Sequence, residues 1–193
     1  MADDMDSRST RRTKHLFKDA LLRLLETESF AYISVKDIVE TADFNRTTFY
    51  NHYIDKFDLL DDVTKDLLDE FGDALQKSFQ KYYPNSKILM KKTDITIFEF
   101  VYQNRHGLSI CKQTELLPNF SQKCSQAVLD KLIDVWSPQV DMAEHRFKAY
   151  TKIFTYGLMG TISGWMSEDF STSPETVTQE FIDFYNFKVE NMH

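Results

Sequence analysis

The sequence predicts an all-α protein: a small three-helix head, joined by one long helix to a helical-bundle body. Three observations point there. Five Gly and four Pro are all that interrupt 193 residues, so long regular segments can form. Apolar residues return every three or four positions along most of the chain. Side chains suited to capping helix N-termini stand before several of those periodic segments. At 42% hydrophobic, a chain of this length can bury a core without disulfides.

The first helix spans about residues 9–28, with Phe17, Ala20, Leu21, Leu24 and Leu25 on one buried face. Arg8, Arg11, Arg12 and Lys14 crowd its start, the end where the macrodipole disfavours cations. They read either as a solvated face or as a phosphate-contacting arm. The segment from Phe30 to Ile33 breaks the period. Ser34 then serves as an N-cap, with Asp37 placed to bond back to it, and Val35, Ile38 and Val39 form the apolar face of a second helix ending near Thr41.

After Ala42-Asp43-Phe44, Asn45 caps a third short helix over 46–53. Two short helices with this connection have the spacing of a helix-turn-helix. Phe49 and Tyr53 share the core face of the third helix, and Thr47 and Asn51 lie opposite. Arg46, Thr48, Tyr50 and His52 flank them. That outward face is polar and almost free of carboxylates. A helix in a major groove needs this composition, because phosphate repels carboxylates and base edges need hydrogen-bonding partners. Asp55 caps the next helix, where Phe57, Leu60, Thr64, Leu67, Leu68, Phe71 and Leu75 keep the period until Pro84-Asn85-Ser86 stops it after about Tyr83. One continuous helix is thus expected to tie head to body rigidly.

In the body, helices are expected over about 94–103, 105–115, 120–136, 144–167 and 174–190. Over 120–136, Val128, Leu132 and Val135 share a stripe. Over 144–167 the stripe is Phe147, Tyr150, Phe154, Leu158, Ile162 and Trp165, broadened by Ile153, Tyr156 and Gly160. Gly157, Gly160 and Gly164 each cost the helix about 1 kcal/mol against Ala. They allow close approach of another helix, either within one subunit or from a second copy. Ser173-Pro174 opens the last helix, which Val177, Phe181, Ile182, Phe184, Tyr185 and Phe187 leave apolar on most sides. Such a helix needs cover from two directions, and a second subunit supplies one of them.

The net charge of −7 is unevenly spread. Residues 7–56 hold nine Lys/Arg against seven Asp/Glu, and residues 57–193 hold fourteen against twenty. A mildly basic head on an acidic body has the right sign for phosphate binding. No Gly-rich phosphate loop, His-Glu-x-x-His helix, Cys-x-x-Cys pair or nucleophile elbow occurs, so no catalytic residue, cofactor or metal is expected. His106, Cys111, Cys124 and His145 lack tight ligand spacing. Arg105 either joins two helices or holds an acidic effector. No apolar run approaches the ~20 residues of a membrane span, and the acidic N-terminus is no signal peptide. The expectation is a cytoplasmic protein with reduced cysteines and no membrane partner.

The run Ile33-Ser34-Val35-Lys36-Asp37-Ile38-Val39, followed by Arg46-Thr47-Thr48-Phe49-Tyr50-Asn51-His52-Tyr53-Ile54-Asp55-Lys56-Phe57-Asp58-Leu59-Leu60, resembles the DNA-binding domain of TetR-family transcriptional regulators. Asp43-Phe44 departs from the Gly-Val common there. The Tyr156-Gly157-Leu158-Met159-Gly160 run, Gly164-Trp165-Met166 and the following Ser-Pro-Glu look like the C-terminal domain of one TetR subgroup, the dihydroxyacetone-kinase-operon activators and their relatives.

The resemblance implies a DNA-binding domain over 9–56 and a regulatory and dimerisation domain over 57–193. It implies phosphate contacts from Ser34, Tyr50, His52 and Lys56. Arg46, Thr47, Thr48 and Asn51, with Lys36 from the second helix, would face base edges. The expected function is that of a homodimeric regulator, a repressor released from an inverted-repeat double-stranded operator by an effector. The rival is a protein-interaction module or coactivator answering to a partner protein. An unidentified small-molecule effector would meet Phe98, Tyr102, Phe147, Tyr150 and Phe154, aromatics that are otherwise core.

Overall fold

Helix α1 (Ala2–Leu25) starts earlier than its apolar face requires, since no Gly or Pro stands in residues 2–8 to stop it. The computed structural model describes residues 2–109 and 120–190; the far end of the helix expected over 105–115, with Cys111, lies outside them. The chain then forms α2 (Val35–Thr41), α3 (Arg46–Tyr50), α4 (Lys56–Phe79), α5 (Ile97–Gln103), α6 (Arg105–Ser109), α7 (Phe120–Trp136), α8 (Glu144–Ser167) and α9 (Pro174–Glu190). Among the described residues the regular structure is helical, as expected, joined by turns and loops. They divide into two compact units, Met1–Leu67 and Leu68–His193. Among them no helix is long and apolar enough to cross a membrane.

The first unit is built around Phe17. This side chain is fully buried and meets Phe44, Phe49 and Tyr53 at centroid distances of 5.2, 5.3 and 6.3 Å. Polar bonds fasten its rim. Lys18 Nζ reaches Asp62 at 3.0 Å and Asp66 at 2.6 Å, and Tyr53 Oη donates to Asp62 Oδ2 at 2.9 Å. Lys14 pairs with Asp62 at 3.6 Å and lies over the Tyr53 ring. Burial opposes charge on Asp62, but the bonds from Lys18 and Tyr53 outweigh it and hold its carboxyl below the ordinary range.

The second unit is packed with aromatic rings. Phe154 touches Phe79, Trp136, Phe181 and Tyr185 at 5.1 to 6.2 Å. Helix α4 ends four residues before the expected Tyr83, in a tighter turn in which Tyr82 N bonds the Phe79 carbonyl at 3.0 Å, and side chains bond the carbonyls there as well. Trp136 Nε1 donates to the Phe79 carbonyl at 2.8 Å, and Gln139 Nε2 to that of Gln80 at 3.0 Å. Helix α5 begins late, at Ile97, because the residues before it are bonded elsewhere. Asp94 accepts from Tyr82 and from Lys81, and Thr96 N donates to Ser78 Oγ. Asn186 of α9 holds both backbone groups of Met90: Oδ1 accepts from its N–H at 2.8 Å, and Nδ2 donates to its carbonyl at 3.1 Å.

The stripe expected on α8 is present, but two threonines belong to it. Thr151 and Thr155 are fully buried, and Thr151 bonds the Phe147 carbonyl. Ile153 and Tyr156 do not broaden the buried face; they are 64% and 54% exposed. Nothing lies within 4 Å of a Cβ built on Gly157, Gly160 or Gly164, so these glycines serve no close packing within the subunit.

Candidate nucleic-acid interface

Both expected N-caps form. Ser34 Oγ accepts from Asp37 N at 3.3 Å, while Asp37 Oδ2 accepts from Ser34 N at 2.8 Å and from Ser34 Oγ at 2.6 Å. The bond from the Ser34 hydroxyl leads the effects that hold the Asp37 carboxyl below its usual range. Asn45 Oδ1 accepts from Thr48 N at 2.8 Å and from Thr48 Oγ1 at 3.1 Å.

Between the caps, α2 ends in a left-handed turn. Asp43 has φ 58°; its N–H bonds the Glu40 carbonyl, and the Phe44 N–H bonds that of Val39 at 2.9 Å. This is the double hydrogen bond of a Schellman cap, made with Asp in the place Gly would occupy without strain. Departure from Gly-Val therefore leaves the turn geometry intact. It also sets a half-buried Phe44 against Phe17.

Helix α3 is three residues shorter than expected, because the chain tightens after Tyr50 so that Tyr53 can enter the core. The His52 and Tyr53 N–H groups both bond the Phe49 carbonyl, at 2.9 Å each. Phe49 and Tyr53 are buried as expected. Arg46, Thr47, Tyr50 and Asn51 are all exposed and share one side of the helix, with no carboxylate among them. Thr48 and His52 are half-buried beside this face. Lys36 is exposed on α2, 3.7 Å from Glu40.

Three of the expected contact residues have their polar hydrogens engaged within the unit. The Ser34 hydroxyl donates to Asp37, and that of Thr48 to Asn45. A phosphate oxygen only accepts, so the Ser34 hydroxyl keeps no proton for it, whereas the Thr48 oxygen, expected at a base edge, can still accept. The third is Lys56, which the resemblance assigns to phosphate. Instead its ammonium points inward to the carbonyls of Phe30, Ala31 and Ile33, at 2.9, 3.3 and 2.7 Å. The first turn of α4 is filled as well: Asp55 Oδ1 accepts from Phe57 N at 2.8 Å and Asp58 N at 2.9 Å.

In the second unit, the five aromatics expected around an effector have different surroundings. Phe98 and Phe147 are core residues. Tyr102 stacks on Trp165 at 6.0 Å, and the Arg105 guanidinium lies 4.6 Å from its ring centre. Tyr150 and Phe154 do line a shared groove of about 320 Å³ between α8 and α9, together with Gly157, Phe181 and Phe184. On α9, Phe184 and Phe187 are 75% and 67% exposed. Cys124 is a buried free thiol, its pKa pushed up to about 11 by that burial, and so inert at neutral pH.

Two short capped helices, the second with an exposed face free of carboxylates, make a helix-turn-helix. A family model described as a transcriptional regulator C-terminal region, TetR_C_8, matches residues 90–186, half of the chain. The chain belongs to the TetR family of transcriptional regulators. It is 28% identical over 164 residues, 84% of its length, to the uncharacterized HTH-type transcriptional regulator YxbF of Bacillus subtilis (strain 168). The chain spans 42% of that relative's length. Its fold is similar to that of the dihydroxyacetone kinase operon activator DhaS, with TM-score 0.65 at 16% identity over 92% of this chain and 96% of that one.

Proposed function

We propose that the chain is a homodimeric, sequence-specific DNA-binding regulator, a repressor that an effector releases from an inverted-repeat operator. The observation that carries this reading is the exposed face of α3. Arg46, Thr47, Tyr50 and Asn51 offer donors and acceptors to base edges and phosphates, with no carboxylate to repel the duplex. In this reading residues 9–56 form the DNA-binding domain and 57–193 the regulatory and dimerisation domain. Arg46, Thr47 and Asn51 read bases with Lys36, while Tyr50 and His52 touch phosphate.

Dimerisation is supported by apolar surface that one subunit exposes. Ile153, Tyr156, Phe184 and Phe187 are exposed on α8 and α9, beside glycines open to an approaching helix. Two-fold symmetry of such a seam would present two α3 helices to half-sites about 34–36 Å apart or a multiple of that. A small-molecule effector would use the groove at Tyr150 and Phe154, and it must prefer one of two conformations to act.

Selection of genomic fragments by the purified protein tests this directly. An inverted repeat should emerge, and Asn51→Ala should relax one symmetric position, a loss of ~1–3 kcal/mol of discrimination. Recovery of fragments without a shared motif would favour the protein-interaction reading.

A further inference from the structure

We infer that Lys56 is a positioning residue that clamps the α1–α2 turn to the start of α4, and that it is not one of the phosphate contacts; this rests on the DNA-binding reading above. A lysine ammonium has three N–H donors. Here three carbonyls converge on it, those of Phe30, Ala31 and Ile33. The cation also lies 4.6 Å from the Phe30 ring centre and 5.6 Å from that of Phe57, whose rings meet edge to face at 5.4 Å. All its donors are engaged and its flanks are covered by rings.

The clamp acts where it matters for binding. The turn it holds runs straight into Ser34, the cap of α2, and the residue itself opens α4 just after the chain leaves α3. Lys56 therefore fixes the heights of α2 and α3 relative to each other within the first unit. Without the ammonium three carbonyls would lose their partner, and the turn would have to rearrange to find others. Swinging Lys56 out to DNA would replace three charge-assisted bonds by a single ion pair at a wet surface, which is unfavourable.

Amine acetylation followed by mass spectrometry of the intact wild-type protein tests the clamp without a variant. Lys36, whose side chain is 62% exposed, is the internal reference. Lys56 should react about tenfold more slowly than Lys36 in the free protein, and adding a selected operator fragment should leave its rate unchanged. Equal rates in the free protein, with protection of Lys56 by DNA, would overturn the inference.

Lys56→Met then separates positioning from direct binding. Operator affinity should fall about tenfold while the slope of log K against log[salt] stays that of the wild type. A slope shallower by ~0.9 would mean that Lys56 touches phosphate. Failure of the wild type to select any sequence would overturn the DNA-binding reading and the positioning role with it. The acetylation rate would even then tell a clamped ammonium from a free one.

Discussion

The two units solve the same problem by different means. The first has one aromatic centre, Phe17 with its neighbours, and a rim of directed polar bonds: two helix caps, the Lys18–Asp62–Asp66 fork and the Lys56 clamp. The second relies on rings against rings and leaves phenylalanines in solvent on α9. A unit of about seventy residues buries too little surface for packing alone to fix short helices, so geometry comes from hydrogen bonds. The larger unit has apolar surface to spare. What each leaves uncovered differs accordingly, polar on α3 and apolar on α8 and α9, and suits a nucleic acid in one case and a protein in the other.

The largest effect should come from the ring cluster. Phe154→Ala removes a side chain that touches four aromatics and should cost about 3–5 kcal/mol, read as a fall in the denaturant midpoint. A loss under about 1 kcal/mol would break the contrast, since packing would not then carry this unit. Phe184→Asp is the companion test at the surface. Because Phe184 is 75% exposed, the subunit should stay folded by circular dichroism yet sediment as a monomer. A dimer that persists moves the seam elsewhere.

The polar rim of the first unit predicts a pH dependence. Asp62 has a folded pKa below its unfolded one, so its contribution is present above the ordinary carboxylate range and is lost as pH falls through the folded value. Lys18 behaves in the opposite sense. Burial disfavours its charge, but the bonds to Asp66 and Asp62 prevail and raise its pKa, so its contribution fades only in strong alkali. Asp62→Asn should cost about 1–2 kcal/mol at neutral pH, with the difference from wild type shrinking in acid. A gap that stays constant from neutral pH into acid would show the fork to be idle.

Two backbone substitutions should have the smallest and sharpest effects. Asp43→Gly relieves a left-handed residue and should stabilise the first unit by about 1 kcal/mol in thermal melts. Gly160→Ala should stabilise the isolated subunit by up to ~1 kcal/mol, because a methyl there meets nothing, while weakening the dimer in sedimentation. If dimer strength does not change, the open glycines do not mark the seam.

Much of this is legible in the residues. Ser34 with Asp37, Asn45 and Asp55 announce three helix starts, and the period-four pair Phe49 and Tyr53 announces the core face of α3. Local signals of this kind depend on neighbours a turn away. The clamp is not legible, because a lysine beside a helix start looks the same whether it faces phosphate or carbonyls 23 to 26 residues earlier. Nor are the helix ends at Phe79 and Ile97, where Trp136 bonds the Phe79 carbonyl from 57 residues away and Tyr82, Lys81 and Ser78 hold Asp94 and Thr96. One long-range signal does stand in the sequence, beyond the reach of a helix-by-helix reading: Lys14 and Lys18 four apart on α1 match Asp62 and Asp66 four apart on α4.

The grip of Asn186 on Met90 has a kinetic meaning. The two residues are 96 positions apart, so closing that ring costs an unfolded chain about 4 kcal/mol of loop entropy before any bond compensates it. No bond within the first unit can reach that far along the chain; Lys18 and Asp66 are 48 positions apart. Its helices close over shorter loops, while the two bonds that hold Met90 form only when α9 docks. In the order of folding, the proposed site for nucleic acid would exist before the proposed pairing surface, and α9 would be the last piece to dock.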